Sequence, residues 1–260
     1  MADGYLLDNR QAQAGTRFDA LAELFNPWTF QHVERLGIAP GWRCWEVGAG
    51  GPGVPAWLAA RVGSQGHVLA TDIDTSWLPS GAPYEVRRHD VGTDPAPDGD
   101  FDLVHARLVL VHVTRRDDAL RAMAGALRPG GWLLLEDADP ALQPPIHPDE
   151  YGPQQALANR LRRGFRTLLA QRGADLAYGR TLPRLLRTAG LSDVRAEAYF
   201  PVTGPACDAL EYATVEQVRD RLVDAGLATR DEIDEHLANV AAGRLDLAMA
   251  PMITAWGRRA

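Results

Sequence analysis

The chain contains no lysine; all 27 of its basic residues are arginine. A Tyr-x-x-x-Lys acid–base pair, of the kind nicotinamide oxidoreductases use, is therefore ruled out. Cysteine is nearly absent too. Cys44 and Cys207 stand far apart without metal-ligand spacing, so no metal site is expected. Cys44 lies in an apolar run and reads as a small buried hydrophobe. There is no basic block. The arginines are spread along a chain of net charge −7, which argues against duplex nucleic acid as a partner. No apolar run approaches the roughly 20 residues that span a bilayer, so no membrane partner is expected. The start, Met1-Ala2-Asp3-Gly4, lacks a basic region followed by an apolar stretch; no signal peptide and a cytoplasmic location are the expectation. Neither an internal repeat nor a low-complexity linker divides the 260 residues, which points to a single domain.

What is present is an ordinary globular balance, 46% hydrophobic and 23% charged. Residues 5–36 carry helical periodicity, with Phe18, Leu21, Leu24 and Phe25 on one face and a break expected at Asn26-Pro27. Trp42 to Val47 reads as a strand that opens into Gly48-Ala49-Gly50-Gly51-Pro52-Gly53, and a helix follows with Pro55 in its first turn. Further strands are expected at His67–Thr71, Tyr84–Arg88, Phe101–Ala106, Trp132–Leu135 and Val194–Phe200. A helix is expected over Thr114–Leu127, and a turn at Pro129-Gly130-Gly131. Helices are also expected over 153–172, 181–189, 208–225 and 231–242, with a strand-like end at Met252–Trp256. Strands alternating with helices predict an α/β fold, a mostly parallel sheet covered on both faces.

The glycine cluster is the strongest chemical signal. Glycines let the backbone turn sharply, approach a ligand and present amides at a helix N-terminus. Gly48, Gly50 and Gly53 satisfy G-x-G-x-x-G, a pattern shared with nicotinamide and flavin enzymes. Three carboxylates sharpen it. Glu46 precedes the glycines, Asp72 ends the second strand, and Asp90 ends the third. Ligands of open α/β sheets bind outside the carboxyl ends of the strands, where an acid can hold ribose hydroxyls. Taken alone, Asp72 reads equally as a cap or turn residue.

These stretches resemble the motifs of class I S-adenosylmethionine-dependent methyltransferases. Trp45-Glu46-Val47-Gly48-Ala49-Gly50-Gly51-Pro52-Gly53 looks like their first motif, and Thr71-Asp72-Ile73-Asp74 like their acidic second. His89-Asp90-Val91 looks like the third. Phe101-Asp102-Leu103-Val104-His105-Ala106-Arg107 and Leu127-Arg128-Pro129-Gly130-Gly131-Trp132 are similar to the later signatures. The likeness is to the small-molecule branch related to ubiquinone-biosynthesis methyltransferases, and it is strong over residues 40–140.

The resemblance implies a Rossmann-like seven-stranded sheet whose last strand, at 252–258, is antiparallel. It implies a cap at 1–40, a cofactor-binding core at 41–140, and acceptor-side helices plus the last two strands at 141–260. S-adenosylmethionine would be the cofactor, S-adenosylhomocysteine the product, and a small molecule the methyl acceptor. Gly48, Ala49 and Gly50 would run along the methionine portion. Asp72 would hold the ribose and Ile73 pack on the adenine. Asp90 and the Val91 amide would meet the adenine amino side, and Ala106 the methionine amine. Arg107 would orient the cofactor carboxylate or form an ion pair. Tyr5 and Arg17 are expected on a lid over the cofactor.

A hydroxyl or amine acceptor needs a base, and His112 with Asp139 is the candidate pair. His112 reads equally as a loop residue and Asp139, before Pro140, as a turn residue. A methyltransferase-like protein that binds the cofactor without transferring methyl stays open, as does a homodimer. A nicotinamide oxidoreductase explains neither Glu46 nor the His-Asp-Val element.

Overall fold

Short continuous apolar runs and stretches of period-3.6 spacing alternate along the chain; the runs become buried strands and the periodic stretches helices. In the computed structural model, which describes Leu6, residues 13–143 and residues 145–260, seven strands form one sheet. They are β1 (Arg43–Val47), β2 (His67–Asp72), β3 (Glu85–Arg88), β4 (Phe101–Arg107), β5 (Leu127–Ala138), β6 (Ser192–Tyr199) and β7 (Met252–Arg258). Their order is β3-β2-β1-β4-β5-β7-β6, with β5 and β7 antiparallel. The order reverses between β1 and β4, the switch point at which such sheets open a crevice. Both edge strands, β3 and β6, carry charged side chains, which discourages pairing with another chain.

Among the described residues seven helices accompany the sheet: α1 (Gln13–Arg35), α2 (Gly53–Val62), α3 (Arg116–Gly125), α4 (Pro153–Gln171), α5 (Leu182–Thr188), α6 (Pro205–Asp224) and α7 (Arg230–Ala241). Contacts group them into two units. The sheet unit comprises Asn26–Ala138, Tyr178–Ala198 and Met252–Ala260. Its core lies on the two faces of the sheet, one around Trp45, Phe101, Leu133 and Leu182, the other around Cys44, Leu58, Leu103 and Leu134. The helical unit comprises the described residues up to Phe25, with Asp139–Ala177 and Tyr199–Pro251. Its core joins α4, α6 and α7 through Leu157, Leu161, Val218, Leu222 and Leu237. No described helix is long and apolar enough to cross a membrane.

Two local expectations are corrected. The helix expected to break at Asn26-Pro27 is continuous. Proline inside a helix removes one backbone bond and costs about 3 kcal/mol. The turns beyond it offset that cost by burying Thr29, His32 and Val33 and by stacking Phe30 on Trp57, with ring centroids 4.4 Å apart. Pro129-Gly130-Gly131 does not precede its strand; it lies inside β5. The pairing jumps from Phe101↔Leu127 to Leu103↔Trp132, so these residues form an irregularity in the ladder. Gly131 fits because a Cβ there would stand 2.7 Å from the Phe101 carbonyl oxygen.

Candidate functional site

The carboxyl end of β1 turns through residues that only glycine suits. Gly48 has φ +64, and a Cβ on it would come within 2.3 Å of Val109 Cγ2. Gly50 has φ +62. Between them Ala49 donates its N–H to the Thr71 carbonyl at 3.0 Å, tying the loop to the end of β2. The first turn of α2 has no acidic residue, and its N-cap, Pro52, offers no side-chain acceptor. The helix therefore begins with amides that no cap satisfies, a natural place for an anionic or polar group.

Asp72 closes the other side of this loop. It is buried; Oδ2 accepts from Gly50 N–H at 2.9 Å and Oδ1 from Asp74 N–H at 2.9 Å. Burial raises its pKa above the ordinary 3.8, against the backbone donors that favour the charged form. The Ile73 N–H is a third backbone donor, so of the carboxylate's roughly four acceptor sites one is left over. The next residue, Ile73, is 63% exposed, a large apolar side chain facing solvent beside a buried acid.

β3 leads to the third acid. Asp90 is exposed; its Oδ1 accepts from Gly92 N–H at 2.8 Å and its own N–H donates to Asp94 at 2.9 Å. Val91 beside it is buried in the core. β4 ends with Ala106 buried and Leu108 at φ +58. A leucine in the left-handed region stores about 1–3 kcal/mol, and such strain gathers at functional loops.

Behind the strand ends lies a charged row that composition did not announce. Glu46, His105 and Glu136 are all buried, on adjacent strands β1, β4 and β5. His105 Nδ1 is 2.6 Å from Glu46, and its Nε2 is 3.3 Å from Glu136. Both nitrogens face acceptor-only carboxylates, so the ring carries both protons. Burial opposes that charge, but Glu46 and Glu136 outweigh it and raise the His105 pKa to about 9. Burial likewise opposes the Glu136 charge, and His105, Arg107 and Thr29 reverse it, holding Glu136 at about 2. Glu136 also accepts from Thr29 Oγ1, and from Thr254 Oγ1 at 2.8 Å. Arg107 donates to Thr29 Oγ1 at 3.0 Å and to Asn26 Oδ1 at 2.8 Å, so its first role here is to hold α1. Sequence spacing hinted at none of the Glu136, Thr29 and Asn26 contacts; only the parallel register of three strands brings the acids to one histidine.

The sheet unit thus gathers Glu46, Gly48, Ala49, Gly50, Gly53, Asp72, Ile73, Asp90, Val91, Ala106 and Arg107. His112 belongs to it as well, exposed at the end of a short 3-10 turn, Leu110–His112, that follows β4. Asp139 and Arg17 belong to the helical unit. Asp139 is buried, with Oδ1 accepting from Leu142 N–H at 3.2 Å, which makes it the cap of the turn after β5. Arg17 is buried with its guanidinium 4.9 Å from the Phe18 ring centroid. Tyr5 lies outside the described residues. Among the described residues no cluster of three His, Cys, Asp or Glu side chains could hold a metal ion.

The family model described as "Methyltransferase domain" matches residues 45–135, the stretch from β1 to β5 that carries this site. The ubiquinone/menaquinone biosynthesis C-methyltransferase UbiE of Vibrio parahaemolyticus is 35% identical over 128 residues, covering 45% of this chain and 49% of that protein. Phosphoethanolamine N-methyltransferase 1 of Zea mays is 27% identical over 177 residues, covering 65% of this chain and 32% of that one. The chain thus spans about half the length or less of the curated relatives it matches. Among solved structures, a Haemonchus contortus phosphoethanolamine N-methyltransferase 2 in complex with phosphomonomethylethanolamine and S-adenosylhomocysteine aligns with TM-score 0.60. It is 16% identical, over 100% of this chain and 60% of that one. The YcgJ protein of Bacillus subtilis aligns with TM-score 0.56 at 13% identity, over 90% and 98%. Both have the fold found here.

Proposed function

We propose that this chain is a class I methyltransferase related to the UbiE type, which binds S-adenosylmethionine across the carboxyl ends of β1 and β2, beside the β1–β4 switch point, and transfers its methyl group to a small-molecule nucleophile. The observation that carries the reading is Asp72. Its buried carboxylate sits 2.9 Å from the Gly50 amide, so the acid of β2 and the glycine turn of β1 form one cradle.

The residues present fit the cofactor. The Gly48 and Gly50 turn, at positive φ, carries no side chain and leaves its half-buried backbone to meet a ligand. Asp72 retains acceptor capacity for a ribose hydroxyl beside its three backbone donors, and the exposed face of Ile73 suits an aromatic base. Asp90 and the Val91 amide stand at the end of β3 for the far side of that base. The Ala106 backbone and the uncapped start of α2, at Gly53, lie at the other strand ends of the reversal. When bound, the sulfonium supplies an electrophilic methyl group and leaves as S-adenosylhomocysteine.

The chain's own work is to orient two reactants and exclude water. For a hydroxyl or amine acceptor, His112 is the base this reading carries, with Asp139 shaping the turn after β5. The relatives make quinone-type carbon and small amine acceptors the first to screen.

The test is calorimetric titration with S-adenosylhomocysteine, NAD and NADP. The expected result is binding of S-adenosylhomocysteine alone, weakened about 10- to 100-fold by Asp72→Ala, the loss of a charge-assisted hydrogen bond. Binding of a nicotinamide in its place would overturn the reading.

A further inference from the structure

The helical unit contains a cleft of its own, about 230 Å³, lined by Pro145, His147, Pro148, Glu150, Asn159 and Arg163. That is ample for more than one water and a little below the range of drug-sized sites, about 300–1,000 Å³.

Its lining is pinned in place by one side chain. Asn159, buried on α4, accepts from His147 N–H at 2.8 Å and donates to the His147 carbonyl at 3.0 Å. Its second N–H goes to Glu150 Oε2 at 2.8 Å. Every polar capacity this ties up belongs to the scaffold, so the segment 147–150 is held against α4 before any ligand arrives.

Three capacities are left over. His147 Nε2 lies 3.2 Å from the backbone N–H of Asp246, which can only donate. Nε2 is therefore the bare nitrogen, and the proton sits on Nδ1. His147 is 2% exposed, and Nδ1 has no partner among the described residues. A buried N–H donor without an acceptor is rare in a folded chain. Arg163 stands one helical turn beyond Asn159, on the same face of α4. It is exposed, and its guanidinium forms no ion pair or hydrogen bond among the described residues. Glu150 keeps its second carboxylate oxygen, whose partners do not include any described side chain.

We propose that this cleft binds a small zwitterion carrying a carboxylate and an ammonium, the chemistry of an amino acid. The Arg163 guanidinium is the donor for the carboxylate and Glu150 is the acceptor for the ammonium, with His147 in the same wall. A planar guanidinium matches a carboxylate with two parallel bonds. A plain anion is opposed by Glu150 and a plain cation by Arg163, so the pair selects for both charges on one molecule. The site lies wholly within the helical unit and stands independently of the methyltransferase reading.

The experiment is titration of the full chain, labelled with ¹⁵N-histidine, with L-alanine, N-acetylalanine and alaninamide. The three probes are similar in size, and the last two each lack one charge. We expect L-alanine to move the His147 Nδ1 resonance and to bind about tenfold or more tightly than either blocked probe. Arg163→Leu and Glu150→Gln, both at exposed positions that leave the core intact, should each abolish that preference. A His147 resonance that ignores L-alanine, or an equal response to all three probes, overturns the proposal. So does a preference that survives both variants.

Discussion

His105 Nδ1 lies 2.6 Å from Glu46 Oε2, and the two residues are register partners across β1 and β4. With Glu136 on the far side of the ring, one buried imidazolium is shared by two buried carboxylates. Such a group is costly to bury and costlier to break, because removing the histidine leaves Glu46 without that partner and Glu136 with Arg107 alone.

His105→Gln should therefore lower stability by about 3–5 kcal/mol, and the loss should depend on pH. The folded pKa of His105 is raised from 6.5 to about 9, so its contribution is complete below pH 6.5 and fades as pH climbs through 9. The folded pKa of Glu136 is lowered from 4.5 to about 2, so its contribution is complete above pH 4.5 and lost as pH falls through 2. The difference between wild type and variant should peak between pH 4.5 and 6.5. Melting curves from pH 5 to 10 measure it, and a difference that stays flat across that span counts against the charged histidine.

Gly48→Ala should be destabilising twice over. The new Cβ stands 2.3 Å from Val109 Cγ2, and φ stays at +64. Together these should cost about 2–4 kcal/mol, one share from overpacking and one from the backbone. Adding Val109→Ala removes the clash and leaves the strain, so the double variant should recover part of the loss. Full recovery in chemical denaturation would mean that the backbone at this turn is relaxed.

Asp137 behaves in the opposite sense to Glu136. Burial raises its carboxyl to about 7, although Val111 N–H donates to Oδ2 at 3.3 Å; Oδ1 has no partner among the described residues. An acid whose folded pKa is raised costs stability as pH rises from its unfolded value of 3.8 toward 7. Asp137→Asn should thus melt higher than wild type at pH 8 and equally at pH 4. A variant less stable than wild type at pH 8 would show that the carboxylate is needed charged.

For the catalytic proposal, His112→Ala is the direct probe. If a hydroxyl or amine is the acceptor, kcat should fall about 10²- to 10⁴-fold with S-adenosylhomocysteine affinity unchanged. An unaltered kcat removes His112 from the chemistry and favours a carbon acceptor or a base elsewhere.

The sequence by itself determined the order of strands and helices, the glycine turn, and the acids at three successive strand ends. Those follow from local causes: apolar period, glycine's freedom at positive φ, and the way a strand delivers its last residue to the sheet edge. Tertiary structure decided the rest. Pro27 stays inside a helix because the packing of the turns beyond it outweighs a lost backbone bond. Pro129-Gly130-Gly131 joins β5 because the neighbouring strand Phe101–Arg107 accepts an irregular ladder. Asp139, legible both as a candidate and as a turn residue, is committed to a turn by the amide of Leu142. The partners of His105 could not be read from spacing at all. Parallel register sets residues from separate crossovers side by side, and no sequence interval encodes that distance.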